Sequence, residues 1–216
     1  NSAFSHIKTF TYDSHGQIAS FNGPRDDSTD VLDKTIYDYY PDSDQNVPAN
    51  NWGRLKRITD ALGHQTTFAE YDLFGNVGSV TDPNDVKTSF LYDFLDHVTE
   101  KRIVGVPDEP VEDNIVTVYG YDAVGNLTSI RLPNCVAFSG CAYSRQYGYD
   151  MVNRLQEVDD PFGNKVIFEY DKVGNRTLGY LDPGPAGSLT YGYDGLHRLT
   201  SVQYGTVGQE AFQYDL

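Results

Sequence analysis

The sequence predicts an all-β chain: a long antiparallel meander built from two-strand repeats of about 21 residues. Three observations carry that reading, namely the composition, a phrase that recurs along the chain, and two families of turns. Tyr (17) and Phe (11) join Val and Thr, which favour pleated surfaces. Gly (20) and Pro (10), with Asp and Asn, supply turns. No segment shows a helical period with caps.

The phrase opens on Tyr-Asp. It reads YDSHGQIAS from Tyr12, YDLFGNVGSV from Tyr71, YDFLDHVTE from Tyr92 and YDAVGNLTSI from Tyr121. It continues as YDMVNRLQEV from Tyr149, YDKVGNRTL from Tyr170 and YDGLHRLTSV from Tyr193, and Tyr214-Asp215 opens a further copy. From Tyr71 to Tyr92, Tyr149 to Tyr170 and Tyr193 to Tyr214 the step is 21 residues, with insertions near Pro107 and between Pro133 and Tyr143 in the longer copies. Self-similarity at fixed period marks a repeat architecture. The chain is therefore read as a single repeat domain over 1–216, degenerate and with an insertion over 12–70, regular over 71–216. Within the degenerate part, the stretch Gly53 to Asp60 looks like the second half of a copy whose first half is stretched through Tyr39-Tyr40-Pro41-Asp42.

Asp first and Gly fourth suit a type I turn, the carboxylate accepting backbone N–H groups and Gly taking positive φ. Asp13 and Gly16, Asp72 and Gly75, Asp122 and Gly125, and Asp171 and Gly174 fit this spacing. In the copies led by Asp93, Asp150 and Asp194 the fourth residue is Asp96, Asn153 or His197, the non-Gly types most tolerant of positive φ. A second turn falls half a repeat later at Asp60-Ala61-Leu62-Gly63, Asp82-Pro83-Asn84-Asp85 and Asp160-Pro161-Phe162-Gly163, with a longer version from Asp182-Pro183-Gly184. Each unit then alternates turn and strand, with about six residues per strand. Apolar residues three apart, such as Leu127 and Ile130 or Leu155 and Val158, do not share a face in a straight strand; either a bulge re-aims one or both faces meet other chain. The repeat tyrosines are expected to stack as an aromatic row across neighbouring strands.

The Tyr-Asp-x-x-Gly-Asn/Arg-Leu phrase with Asp-Pro-x-Gly between copies resembles the YD-repeat, or RHS, family, which includes bacterial RHS and toxin-complex proteins and the teneurins. The resemblance covers nearly the whole chain. It implies a spiral β-sheet that forms a hollow shell, here an open arc of its wall. It also implies a parent that, in bacterial members, encloses or presents a C-terminal toxic polypeptide. The Asp-Pro-x-Gly-Leu signature of the family's closing segment does not occur in the sequence, so self-cleavage and toxin activity do not carry over. The implied function is a non-enzymatic structural wall of a secreted or cell-surface protein. Its partners would be the remainder of the repeat shell and the enclosed polypeptide. The alternative is an extracellular binding or adhesion module that recognises glycan or protein through tyrosine-rich faces or edge strands, or assembles with itself into fibres.

Sixteen Lys and Arg against 31 Asp and Glu give a formal charge of −15, which repels phosphate backbones and anionic lipid. No apolar run approaches the roughly 18 residues of a membrane helix. The chain lacks an initiator Met and a signal peptide, and is read as a processed or excised piece. His15, His64, His97 and His197 lie in or beside turns of different repeats and are read as structural, with a catalytic or metal role as the alternative. Asp42-Ser43-Asp44-Gln45-Asn46 opens like a calcium loop but has Val47 sixth and Gly53 twelfth, where Gly and Glu belong. Trp52 either plugs the fold or stacks on a ligand. Cys135 and Cys141 sit in the insertion after Pro133. The family's largely secreted character favours a disulfide between them, with two reduced thiols as the alternative. No phosphate cradle, nucleophile elbow or zinc signature occurs, and no cofactor is expected.

Overall fold

The computed structural model describes residues 8–23, 33–104, 115–133, 142–182 and 187–215. The two cysteines of the expected disulfide, Cys135 and Cys141, lie outside the described residues, as does His6. The chain forms two compact units, Asn1–Val116 and Thr117–Leu216. All regular structure described is β except a 3-10 turn over Ala49–Asn51 and the single helical residue Pro133.

The first unit is a meander of β1 (Thr9–Tyr12), β2 (Ile18–Asn22), β3 (Lys34–Tyr39), β4 (Leu55–Thr59), β5 (Gln65–Ala69), β6 (Ser79–Thr81), β7 (Lys87–Tyr92) and β8 (Val98–Val104). Each strand pairs antiparallel with the next in chain order. The second unit repeats the plan with β9 (Ile115–Tyr121), β10 (Leu127–Arg131), β11 (Arg145–Tyr149), β12 (Leu155–Asp159), β13 (Lys165–Tyr170), β14 (Arg176–Asp182), β15 (Leu189–Tyr193), β16 (Leu199–Tyr204) and β17 (Gly208–Ala211). Its strands too pair antiparallel with their sequence neighbours. Short hairpin connections make this order the cheapest to close, because each pairing needs only a local loop.

Register sorts the side chains into two faces. In the second unit Tyr147, Val158, Val166 and Leu181 stand opposite one another across β11 to β14. The adjacent row, Gln146, Asp159, Lys165 and Asp182, is polar and points the other way. There Lys165 Nζ pairs with Glu157 and lies 3.0 Å from Asp159 Oδ2, and these hydrogen bonds, that to Glu157 first, raise its pKa. The first unit has the same division: Phe68, Val80, Thr88 and Ile103 on one side, Asp38, Arg57, Thr67, Thr81 and Lys87 on the other. Only Tyr71 and Val202 count as buried apolar residues among the described ones, so each unit is a single layer of half-exposed strands.

The spacing of three between apolar residues has a structural cause. A register shift falls at Tyr12, Tyr39, Tyr92, Tyr121, Tyr149, Tyr170 and Tyr193. In each case the strand after the turn carries one extra residue. Tyr149 faces Leu155 and Gly148 faces Glu157, so Gln156 is left over. This bulge returns Leu155 to the face of Val158.

Candidate functional site

The chemistry of the chain is concentrated where one repeat meets the next, at the Tyr-Asp turns. In every such turn the Asp N–H donates to the carbonyl four residues on, and the N–H of the fourth turn residue donates back to the Asp carbonyl. The carboxylate Oδ1 also accepts the N–H groups two and four residues ahead, as Asp93 does from Leu95 (2.8 Å) and His97 (3.0 Å) and Asp150 from Val152 (2.9 Å) and Arg154 (3.0 Å). The fourth residue has positive φ throughout: Gly16, Gly75, Gly125 and Gly174 at 78, 100, 91 and 98°, and Asp96, Asn153 and His197 at 63° each.

These contacts hold the carboxylates of Asp72, Asp93, Asp122, Asp150, Asp171 and Asp194 below the ordinary aspartate range. For Asp150 the Arg154 N–H is the main cause, offset by desolvation and reinforced by the Arg154 guanidinium. For Asp194 it is the Arg198 N–H and then the Arg198 side chain. At Asp93 desolvation pushes upward and is outweighed by the His97 N–H, the His97 ring and the Leu95 N–H.

The repeat tyrosines act between repeats. Six of their hydroxyls donate to a carbonyl at the start of the strand after the preceding turn or, in the case of Val77, two residues ahead of that strand. The pairs are Tyr71 to Leu55 (2.7 Å), Tyr92 to Val77 (2.9 Å), Tyr149 to Leu127 (2.9 Å), Tyr170 to Leu155 (2.6 Å), Tyr193 to Arg176 (3.0 Å) and Tyr214 to Leu199 (2.8 Å). Tyr39 makes the same bond to Ile18 (3.0 Å) and faces Leu55 in register, so it is a repeat tyrosine that the sequence reading left inside the stretched copy. Its signal was present: it stands just ahead of the stretched segment that ends in Gly53-Arg54-Leu55. Burial pushes the phenols of Tyr71, Tyr92, Tyr149 and Tyr193 upward, which keeps them protonated as donors.

The expected aromatic row takes a different form. Guanidinium groups, and not further rings, lie on several of these tyrosines: Arg54 over Tyr71 at 5.6 Å, Arg154 over Tyr170 at 4.6 Å and Arg198 over Tyr214 at 4.6 Å. A ring spaced a full repeat from the next is too far away to stack, and a long cationic side chain fills the interval.

Those arginines belong to an alternation along the chain. The residue after the fourth turn position is an amide in one repeat and basic in the following one: Gln17, Arg54, Asn76, His97, Asn126, Arg154, Asn175, Arg198. Each amide reaches forward to the next turn's fourth residue. Gln17 Nε2 donates to the Gly53 carbonyl (2.8 Å), Asn76 Nδ2 to Asp96 Oδ1 (2.7 Å), Asn126 Nδ2 to Asn153 Oδ1 (3.0 Å) and Asn175 Nδ2 to His197 Nδ1 (3.1 Å). In the three asparagine junctions the non-glycine fourth residue is thus the one that presents a side-chain acceptor. The arginines make the opposite kind of junction, to the next tyrosine ring, and Arg154 Nη1 also donates to the Asp171 carbonyl (2.9 Å).

The other candidates are dispersed. His64 Nδ1 and His97 Nδ1 meet Asp60 and Asp93 of their own turns at 2.9 and 3.0 Å, and His15 Nε2 meets Asp42 at 3.0 Å. Asp44 Oδ1 accepts from Asn46 N (2.9 Å) and Nδ2 (3.1 Å). Trp52 donates to the Val47 carbonyl (3.2 Å) and the residue is 40% exposed, so it packs along its own loop while remaining open to solvent. The structure does not bring these histidines together.

Residues 50–87 match the family model described as RHS Repeat. The tRNA3(Ser)-specific nuclease WapA of Bacillus spizizenii is 30% identical over 148 residues, which is 65% of this chain and 6% of that protein. The crystal structure of TcdB2-TccC3 superposes on 98% of the chain with a TM-score of 0.54 at 16% identity, and the same complex without its hypervariable C-terminal region gives the same values. The chain spans 13% of each of those structures. A likeness at that identity bears on fold alone. Residues 50–87 thus match an RHS repeat, and the Tyr-Asp phrase and antiparallel meander continue along the rest of the chain.

Proposed function

We propose that the chain is a non-enzymatic wall segment of a secreted or cell-surface RHS protein whose parent encloses or presents a C-terminal polypeptide. The observation that carries this reading is the single-layer sheet: repeats are tied edge to edge by hydrogen bonds between turns, while Tyr71 and Val202 are the only buried apolar residues described. A sheet with so little interior of its own is built to bound a space and not to hold a reactive centre. In this reading the turn aspartates and their fourth-position partners set the pitch of the wall, and the repeat tyrosines lock each repeat to the one before. The partners are further repeats of the parent and the polypeptide they enclose.

Limited proteolysis of the parent protein tests this. The downstream polypeptide resists protease while the wall is intact and is digested once the turn variant Asp150→Ala loosens it. Equal digestion with and without the substitution would remove the enclosure role. A second reading, contact with another protein, is favoured by the exposed apolar turn tips Phe74, Phe94, Met151 and Phe162.

A further inference from the structure

We propose that the junction between the repeats led by Tyr170 and Tyr193 is a pH-sensitive joint, closed while His197 is neutral and opened when its ring takes a second proton. Three asparagine junctions share one design, an Asn Nδ2 group donating to an acceptor on the next turn, and they differ only in that acceptor. It is a carboxylate oxygen at Asp96, an amide oxygen at Asn153 and a ring nitrogen at His197. Asn175 Nδ2 also donates to Asp171 Oδ2 at 2.8 Å, which fixes the amide with its N–H groups toward both partners. The ring can accept only through an unprotonated Nδ1.

Protonation places an N–H against an N–H. Rotating the Asn175 amide to offer its oxygen gives up the bond to Asp171, so one hydrogen bond is lost either way. The charged residues of the adjoining turns are Asp194 and Arg198 on its own turn, Asp171 and Lys172 on the preceding one, and Asp215 at the start of the next repeat in sequence. Arg198 Nε is held by Asp194 Oδ2 at 2.7 Å and its guanidinium by the Tyr214 ring. An imidazole in general changes charge in mildly acidic water.

The other described histidines respond in the opposite sense. His15, His64 and His97 each face a carboxylate oxygen, and a second proton strengthens those contacts. Acidification therefore loosens one joint selectively.

Hydrogen–deuterium exchange of the chain at pH 7.5 and 5.5, corrected for intrinsic rates, tests the joint. Exchange across 193–198 is expected to rise about two-fold at the lower pH, the effect of one lost solvent-exposed hydrogen bond. The Asn126–Asn153 junction stays unchanged as an internal reference. The variant His197→Asn, which copies the residue at 153, should keep protection at both pH values. A flat wild-type response, or a variant that loosens as much as the wild type, overturns the proposal. If the variant does not fold, the Asn175 side-chain NH2 resonances of the wild type decide it: they must shift along the same titration curve as the His197 ring, and constancy overturns the joint.

Discussion

Between Tyr149 and Leu155 the chain reverses through the five residues 150–154, whereas between Tyr39 and Leu55 it uses the fifteen residues 40–54. Both tyrosines nevertheless face their leucine in register, with the same bulge one residue later. In the short turn Asp150 N donates to Arg154 O (2.9 Å) and Asn153 N to Asp150 O (3.0 Å). In the long one Tyr40 N donates to Arg54 O (2.9 Å) and Gly53 N to Tyr40 O (3.0 Å). The insertion 41–52 thus replaces only the two corner residues, and the bonds that close the turn survive. What the repeat preserves is the stem of the turn and the tyrosine beside it, while the tip is free to grow. The stretched copy also dispenses with the aspartate, since Tyr40 stands in its place. In exchange the buried Asn51 of the insertion accepts the Tyr71 N–H at 3.1 Å.

Acid should separate the two kinds of turn most strongly. Asp72, Asp93, Asp122, Asp150, Asp171 and Asp194 are all held below the ordinary carboxylate range. Their stabilisation is complete above the unfolded value of about 3.9 and disappears as pH falls through the lower folded values. The denaturant midpoint is therefore expected to drop below about pH 4. Amide exchange at pH 3 should open the 150–154 turn before the Tyr40–Arg54 closure. Simultaneous opening would mean that the carboxylates do not distinguish them.

Gly75→Ala comes next. Its φ of 100° disfavours any Cβ, and an added Cβ would collide with the Arg54 guanidinium that lies over Tyr71. A loss of about 2 kcal/mol in urea unfolding is expected. Asn51→Ala leaves the Tyr71 N–H without its acceptor in a buried position and should cost about 2 kcal/mol or slightly less. A neutral result there would make the insertion a passive bulge in the copy. Tyr149→Phe removes the hydroxyl bond to Leu127 for about 1 kcal/mol, and Tyr39→Phe, whose bond is solvent-exposed, for roughly 0.5 kcal/mol.

The fold was legible because its grammar is local. A turn needs Asp, four residues and a permissive fourth position, and a composition rich in Tyr, Phe, Val and Thr supplies the strands between. The stretched copy could be located by Gly53-Arg54-Leu55 alone, since the stem residues follow the insertion unchanged. Less was legible where residues of different repeats meet. Asp96, Asn153 and His197 look alike only as hosts of positive φ; that each also offers an acceptor to the asparagine of the repeat before depends on a contact 20 to 27 residues away. Likewise a tyrosine pattern suggests ring stacking, whereas the hydroxyl of Tyr170 finds the Leu155 carbonyl and its ring finds Arg154. The spacing of Leu155 and Val158 left two readings open until the register placed Gln156 in a bulge.

The alternation of amide and basic turns has a genetic corollary. Excising or duplicating one 21-residue copy sets two turns of like kind side by side, with two forward-reaching amides or two arginines where one of each belongs. Excising or duplicating two restores the match. Viable length variants of such a chain should therefore obey a parity rule, differing by even numbers of copies.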